Sequence, residues 1–429
     1  MVISPAIAPH LAPSATLFIN EQVRAKWAAG ETVYHFGFGE SRFSVHPKLM
    51  QALADNAHHK SYPPLQGVPE LREAIAAYDR RTIGVDCTAD QIFIGPGSKA
   101  LIFALQMALA GDLLIPTPSW VTYEPQAKFL GKQTHFIDAS VEDGYQLHLE
   151  NIDAAVQKAN PGQKILILCT PHNPTGLMLG DQFLRELADY CRQNQIIVLS
   201  DEIYSAINHG IVPHISLAKY YPEGTIVLGG ISKHMSLGGW RLGRAVFPKE
   251  LKESLLPAVM SIGSEIWSGV NGPTQYAAVH AFANDPEMDD YIETCSAIHA
   301  TRTQHMWSWF NELGIQVAQP QGAFYMMPNF DRWREPLAAK GVHTAKELAQ
   351  YLLDHHQCAF LPGTPFGTPA EDLSLRMACG FVDMETDEAA DAVLTAWHVN
   401  PDPAVFMDGP HPMTAGAMAQ MQAFVESLG

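Results

Sequence analysis

Four short runs of isoleucine, valine and leucine do most to limit what this chain can fold into: QIFIG (91–95), KILILCT (164–170), QIIVLSDEIY (195–204) and TIVLGGIS (225–232). Runs that are apolar at successive positions, rather than at alternate ones, belong to strands covered on both faces. Helical patterns stand between several of them. SKALIFALQMALA (98–110) is one, and DQFLRELADYCRQN (181–194) is another, opening on an aspartate suited to a helix start. Strand alternating with helix implies an α/β domain, a mostly parallel sheet flanked by helices.

The texture differs on either side of that region. Residues 1–45 read as a proline-punctuated arm, with a helix near 18–29 ended by Gly30, and a further helix is expected from Pro69, where a first turn tolerates proline. Past about 290 the pattern becomes a smaller α+β unit. It has a helix over CSAIHATRTQHMWSWFNELG, a strand at GAFYMMP (322–328), a helix over 344–356 and a strand at LSLRMACG (373–380). The expected division is therefore an arm at 1–45 that also joins the small domain, a large domain at 46–290, a small domain at 291–400 and an extension at 401–429. The extension closes on a short amphipathic helix, and no role for it is legible.

Bulk properties narrow the class of partner. A length of 429 residues suits two or three domains, and 47% hydrophobic with 17% charged residues suits a folded chain. A net charge of -18 weighs against nucleic acid and acidic membrane surfaces, which require a basic face. No stretch of 18 apolar residues occurs, the N-terminus lacks a secretory pattern, and the six cysteines form no C-x-x-C clip. A cytoplasmic protein without nucleic-acid or membrane partners is expected. The pairs His58-His59 and His355-His356 lack metal-binding spacing, so no metal site is expected.

In an open parallel sheet, ligand-contacting groups collect beyond the carboxyl ends of the strands. Four polar residues fall at such ends: Asn173, Asp201, Tyr204 and Lys233. The intervals separating Asn173, Asp201 and Lys233 are each about one βαβ unit of roughly 30 residues. An aspartate ending an apolar strand needs a partner. A protonated pyridine nitrogen is one, a helix cap or an arginine another. The turn Gly95–Gly97 leading into a helix at Ser98 offers free N–H groups for a phosphate, and Trp120, boxed by prolines in PTPSWVTYEP, offers a flat face for a heterocycle. Lys233 becomes a nucleophile toward an aldehyde once burial and nearby cations lower its pKa, and Arg241 in GGWRLG supplies a cation that also grips phosphate.

Taken in order, SK followed by GWRLG, with PHNPTG, DEIY, GAFY and PGTPFG, resembles the class I/II aminotransferases, fold type I enzymes dependent on pyridoxal phosphate, over about residues 15 to 395. The resemblance implies that Lys233 forms the internal aldimine and shuttles the substrate Cα proton, and that Asp201 pairs with the pyridine nitrogen. It implies that Asn173 and Tyr204 bond the ring oxygen, that Trp120 stacks on the ring, and that Gly97, Ser98, Lys99 and Arg241 surround the phosphate. Arg376 would clamp the substrate carboxylate, with Gly39 and Asn173 lining that pocket. Tyr62 would reach the neighbour's phosphate across a two-fold homodimer. The activity implied is transfer of an amino group from an L-amino acid to a 2-oxo acid in two half-reactions. The alternative on the same scaffold is a carbon-sulfur lyase or another eliminating enzyme.

This sequence departs from the family pattern in places. Ser41, Arg42 and Phe43 follow FGFGE where Pro-Asp-Phe is common, and His234 follows the lysine where a smaller residue is common. SEIWSGVNGP lacks an arginine for a distal carboxylate, and Trp267 with Phe18 would instead make an apolar side-chain pocket.

Overall fold

The computed structural model describes residues 15–429; residues 1–14 of the expected arm lie outside the described residues. Twelve strands occur among the described residues. In chain order they are β1 (Tyr34–His35), β2 (Ile92–Gly95), β3 (Asp112–Thr117), β4 (Thr134–Asp138), β5 (Lys164–Cys169), β6 (Ile196–Asp201), β7 (Thr225–Gly230), β8 (Gly243–Val246), β9 (Tyr325–Met326), β10 (Cys358–Ala359), β11 (Leu361–Pro362) and β12 (Leu375–Ala378). Seven of them form the central sheet in the order β2-β8-β7-β6-β5-β3-β4, parallel except for β8, which runs against both its neighbours.

The apolar runs have the double burial that their composition requires. Ile165 and Ile167 of β5 enter one core with Leu101, Leu105 and Val259, while Leu166 and Leu168 enter another with Ile152, Leu184 and Leu187. Successive residues of a strand point to opposite faces, so both faces are covered by helices. Ser98–Ala108, Asp181–Gln193 and Pro69–Thr82 lie within two residues of the helices read from the sequence.

A second core lies around three small strands, with β12 between β11 and β9, and around the helix Ala345–His356. Phe36 joins this core from the N-terminal side, and β1 pairs with β10. The helix Pro286–Glu312 runs unbroken through residue 290. The last thirty residues form the helices Pro403–Met407 and Pro412–Glu426. The longer one is seated by Asp383, whose carboxylate accepts from the backbone N–H groups of Met413 and Thr414 and from the Thr414 hydroxyl. That helix lies directly on Tyr34: a Cβ added at Gly416 would stand 2.5 Å from the Tyr34 hydroxyl.

The six cysteines are free thiols. No helix among the described residues is long and apolar enough to cross a membrane, and no cluster of three His, Cys, Asp or Glu residues there could hold a metal ion.

Candidate active site

Parallel strands deliver their carboxyl ends to one edge. β6 ends on Asp201, the segment after β5 carries Asn173, and the segment after β7 carries Lys233. Because β8 runs the other way, its starting end lies at this same edge, and Arg241 stands two residues before it. Gly97, at φ +91°, turns the chain from β2 into the helix beginning at Ser98. A Cβ at Gly97 would fall 2.3 Å from Arg241 Nη2, so only glycine admits both the conformation and the guanidinium.

These ends open on a cavity of about 380 Å³. Its wall includes Ser98, Lys99, Trp120, Asn173, Asp201, Tyr204, Lys233 and Arg241 from the large sheet's edge. Gly39, Tyr325 and Arg376 close it from the side of the second core. Tyr62 is not brought there within one chain and stands 89% exposed at the surface. Phe18 and Trp267 do not line the cavity either: Phe18 is exposed, and Trp267 packs near Phe93 in the core. A neighbouring cavity of about 350 Å³, behind Tyr123 and Cys169, has no carboxylate, lysine or arginine in its wall.

Burial organises the electrostatics. Asp201 Oδ2 accepts from the Tyr123 hydroxyl at 2.8 Å, while its Oδ1 is buried without a partner. Burial lifts the carboxyl to about 6, against the pull of the Tyr123 hydrogen bond, the Ile203 backbone N–H and the Lys233 charge. Asn173 Oδ1 is likewise buried and unpaired, and Asn173 Nδ2 stands 3.4 Å from the Tyr204 hydroxyl. The Tyr204 and Tyr325 hydroxyls are 2.9 Å apart. Lys233 Nζ donates to the Gly39 carbonyl at 2.6 Å. Burial pushes its pKa down to about 8; Arg376 and Lys99 push the same way, and Glu40 and Asp201 oppose them. Lys99 lies 5.0 Å from the Trp120 ring centre, its pKa also lowered by burial and by Arg241.

Arg376 is buried, donates to the Gly37 carbonyl at 2.5 Å and leaves Nε unpartnered. Its guanidinium carbon sits 5.0 Å from the Tyr325 ring centre. Tyr123, Tyr325 and Glu40 are among the wall residues that the sequence reading does not include in the site. Tyr325 closes the GAFY motif, which gave a signal without a role. Tyr123 stands three residues past Trp120, with nothing local to say that its hydroxyl meets Asp201.

Comparison with known proteins agrees with this geometry. The family described as Aminotransferase class I and II matches residues 31–393, and the chain belongs to it. The chain is 31% identical over 385 residues to an aspartate aminotransferase of Geobacillus stearothermophilus, covering 88% of this chain and 94% of the relative. It is also 31% identical over 368 residues to a probable aspartate/prephenate aminotransferase of Aquifex aeolicus, covering 84% and 90%. The solved aspartate aminotransferase from Thermus thermophilus with maleate superposes at a TM-score of 0.80 with 25% identity, over 92% of this chain and 98% of that one. The protein is a pyridoxal phosphate-dependent aminotransferase.

Proposed function

We propose that Lys233 is the amine that joins the cofactor and that Asp201, Asn173, Tyr204, Trp120, Gly97, Ser98, Lys99 and Arg241 hold that cofactor in the 380 Å³ cavity. The observation that carries this reading is the pair of buried, unpaired acceptors, Asp201 Oδ1 and Asn173 Oδ1, in the wall of the cavity that also holds a lysine of depressed pKa. A buried acceptor without a donor is costly, so both atoms fit a ligand that brings a donor, as a protonated ring nitrogen does for Asp201. Bound there, pyridoxal phosphate supplies an aldehyde and a conjugated ring that takes up the negative charge left on the substrate Cα.

Each protein group then has a task. Arg376 pairs with the substrate α-carboxylate, bringing charge-assisted bonds that its unpartnered Nε can help to make. That clamp aims the Cα–H bond at Lys233, which takes the proton as a neutral amine and returns it. With a pKa of about 8, roughly a tenth of the lysine is neutral at pH 7, against far less for an exposed lysine. Asp201 remains ionised beside the ring nitrogen, because the cationic partner reverses the effect of burial.

The donor is a dicarboxylic amino acid of the aspartate type and the acceptor a 2-oxo acid. Support comes from the names of the relatives and from the maleate in the Thermus structure. Lys99, Lys233, Arg241 and Arg376 outnumber Glu40 and Asp201 in the wall and concentrate positive potential for the cofactor phosphate and the substrate α-carboxylate in an otherwise acidic chain. The enzyme works as a cytoplasmic homodimer in which Tyr62, outside its own cavity, serves the partner's phosphate site. Free thiols suit a reducing compartment.

The test is to mix loaded enzyme with a panel of amino acids and follow the cofactor spectrum. Aspartate is expected to convert it without ammonia release, and an added 2-oxo acid to restore it. Ammonia release with no acceptor contradicts transfer. Sedimentation as a monomer at micromolar concentration contradicts the dimer.

A further inference from the structure

Behind the cavity wall, a second set of contacts joins the two segments that face each other across Lys233. Ser41 lies two residues beyond Gly39, the residue whose carbonyl accepts from Lys233 Nζ. The Ser41 hydroxyl stands 2.6 Å from Ser236 Oγ and 2.9 Å from His299 Nε2. Ser236 belongs to the lysine's own turn: its N–H donates to the Lys233 carbonyl at 3.2 Å, and its backbone is left-handed at φ +56°. His299 comes from a third element, the helix Pro286–Glu312, and is wedged between Phe43 and Phe324 with ring centres 4.9 Å away on each side.

Burial, with Arg302 and His209 nearby, pushes His299 well below its ordinary pKa, so the ring is neutral. Its Nδ1 is buried without a partner. An orphaned acceptor costs less than an orphaned N–H, which places the proton on Nε2. His299 therefore donates to Ser41, and the Ser41 hydroxyl is left to donate to Ser236. Proline, common in the family where Ser41 stands, has no hydroxyl and can make neither bond.

We propose that Ser41, Ser236 and His299 are positioning residues, a three-element clasp that holds the Gly39 carbonyl against Lys233 Nζ and fixes the direction of that amine in the cavity. The inference rests on the reading of Lys233 as the reactive amine. Three polar groups that merely satisfied one another, Ser41 and His299 buried and Ser236 half-buried, would stabilise the fold without bearing on how the lysine presents itself.

The experiment uses the loaded full chain and reads kcat, KM and the induced circular dichroism of the cofactor's visible band, which reports a fixed orientation. S41A is expected to lower kcat by about tenfold with a smaller change in KM, and to reduce the dichroic band at equal cofactor content. S236A, which cuts one of the same bonds from the other side, should move both signals the same way, and the double variant should be no worse than S41A alone. S41T, which keeps the hydroxyl, should recover most of both signals. Wild-type kcat and dichroism, within twofold, in both S41A and S236A would overturn the clasp. Additive losses in the double variant would do so too. Borohydride reduction of the loaded wild-type enzyme that leaves a pyridoxyl group on a lysine other than Lys233 would instead sink the underlying reading of the lysine and leave the clasp without an object.

Discussion

The two walls of the cavity are built by opposite means. On one side, Asn173, Asp201 and Lys233 stand at or just beyond the ends of adjacent parallel strands, so the sheet sets their separation. On the other, Gly37 and Gly39 come from residues near the start of the chain, Tyr325 from β9 and Arg376 from β12, and contacts between remote segments hold them together. The first wall is a consequence of topology. The second depends on contacts between segments remote in sequence, and it meets the first through single bonds such as Lys233 Nζ to the Gly39 carbonyl.

The comparison is testable by cutting each wall in turn. Lys233→Ala removes both the covalent and the proton-transfer role, so turnover should fall by more than about 10⁴-fold, beyond a general base alone, while near-ultraviolet dichroism keeps its native form. Steady-state assays with aspartate and a 2-oxo acid check it. Arg376→Ala acts on the second wall. It deletes charge-assisted bonds worth about 3 kcal/mol, so kcat/KM should drop by about 100-fold, while equilibrium binding of cofactor stays near wild type.

A third effect is graded by pH. Only a neutral amine attacks an aldehyde, and Lys233 is held near 8 instead of its usual 10.5. Stopped-flow capture of pyridoxal phosphate by the apoprotein should therefore quicken by about tenfold per pH unit up to about 8 and level off above it. A rate still climbing at pH 10 would mean that burial in the cavity does not depress the lysine. The smallest effect lies outside both walls. Gly416→Ala forces a Cβ onto Tyr34, outweighing the better helix propensity of alanine, so stability should fall by about 1 kcal/mol with kcat unchanged. Thermal melts beside assays distinguish that brace from a catalytic contact.

The same division explains what the sequence disclosed. Strand ends repeat at a regular interval, so Asn173, Asp201 and Lys233 were legible from apolar runs and spacing. The motifs added Arg241 and Arg376. β8 was not legible, because four residues carrying Arg244 do not resemble a buried strand; its arginine is satisfied only by Asp79 of the distant helix Pro69–Thr82. The bonds joining Ser41 to His299 and Tyr123 to Asp201 span long intervals that no local pattern encodes. The expected pocket of Phe18 and Trp267 is not assembled within one chain: Phe18 is exposed and Trp267 stands beside Phe93. The extension beyond residue 400 carried no motif, and its place against Tyr34 depends on a glycine whose purpose appears only in three dimensions.

Borohydride reduction of the loaded enzyme, followed by peptide mass mapping, most directly tests whether Lys233 is the residue joined to the cofactor. A single pyridoxyl group on the peptide bearing Lys233 is the result expected. Labelling of Lys99 in its place, or loss of cofactor with no lysine modified, would contradict it.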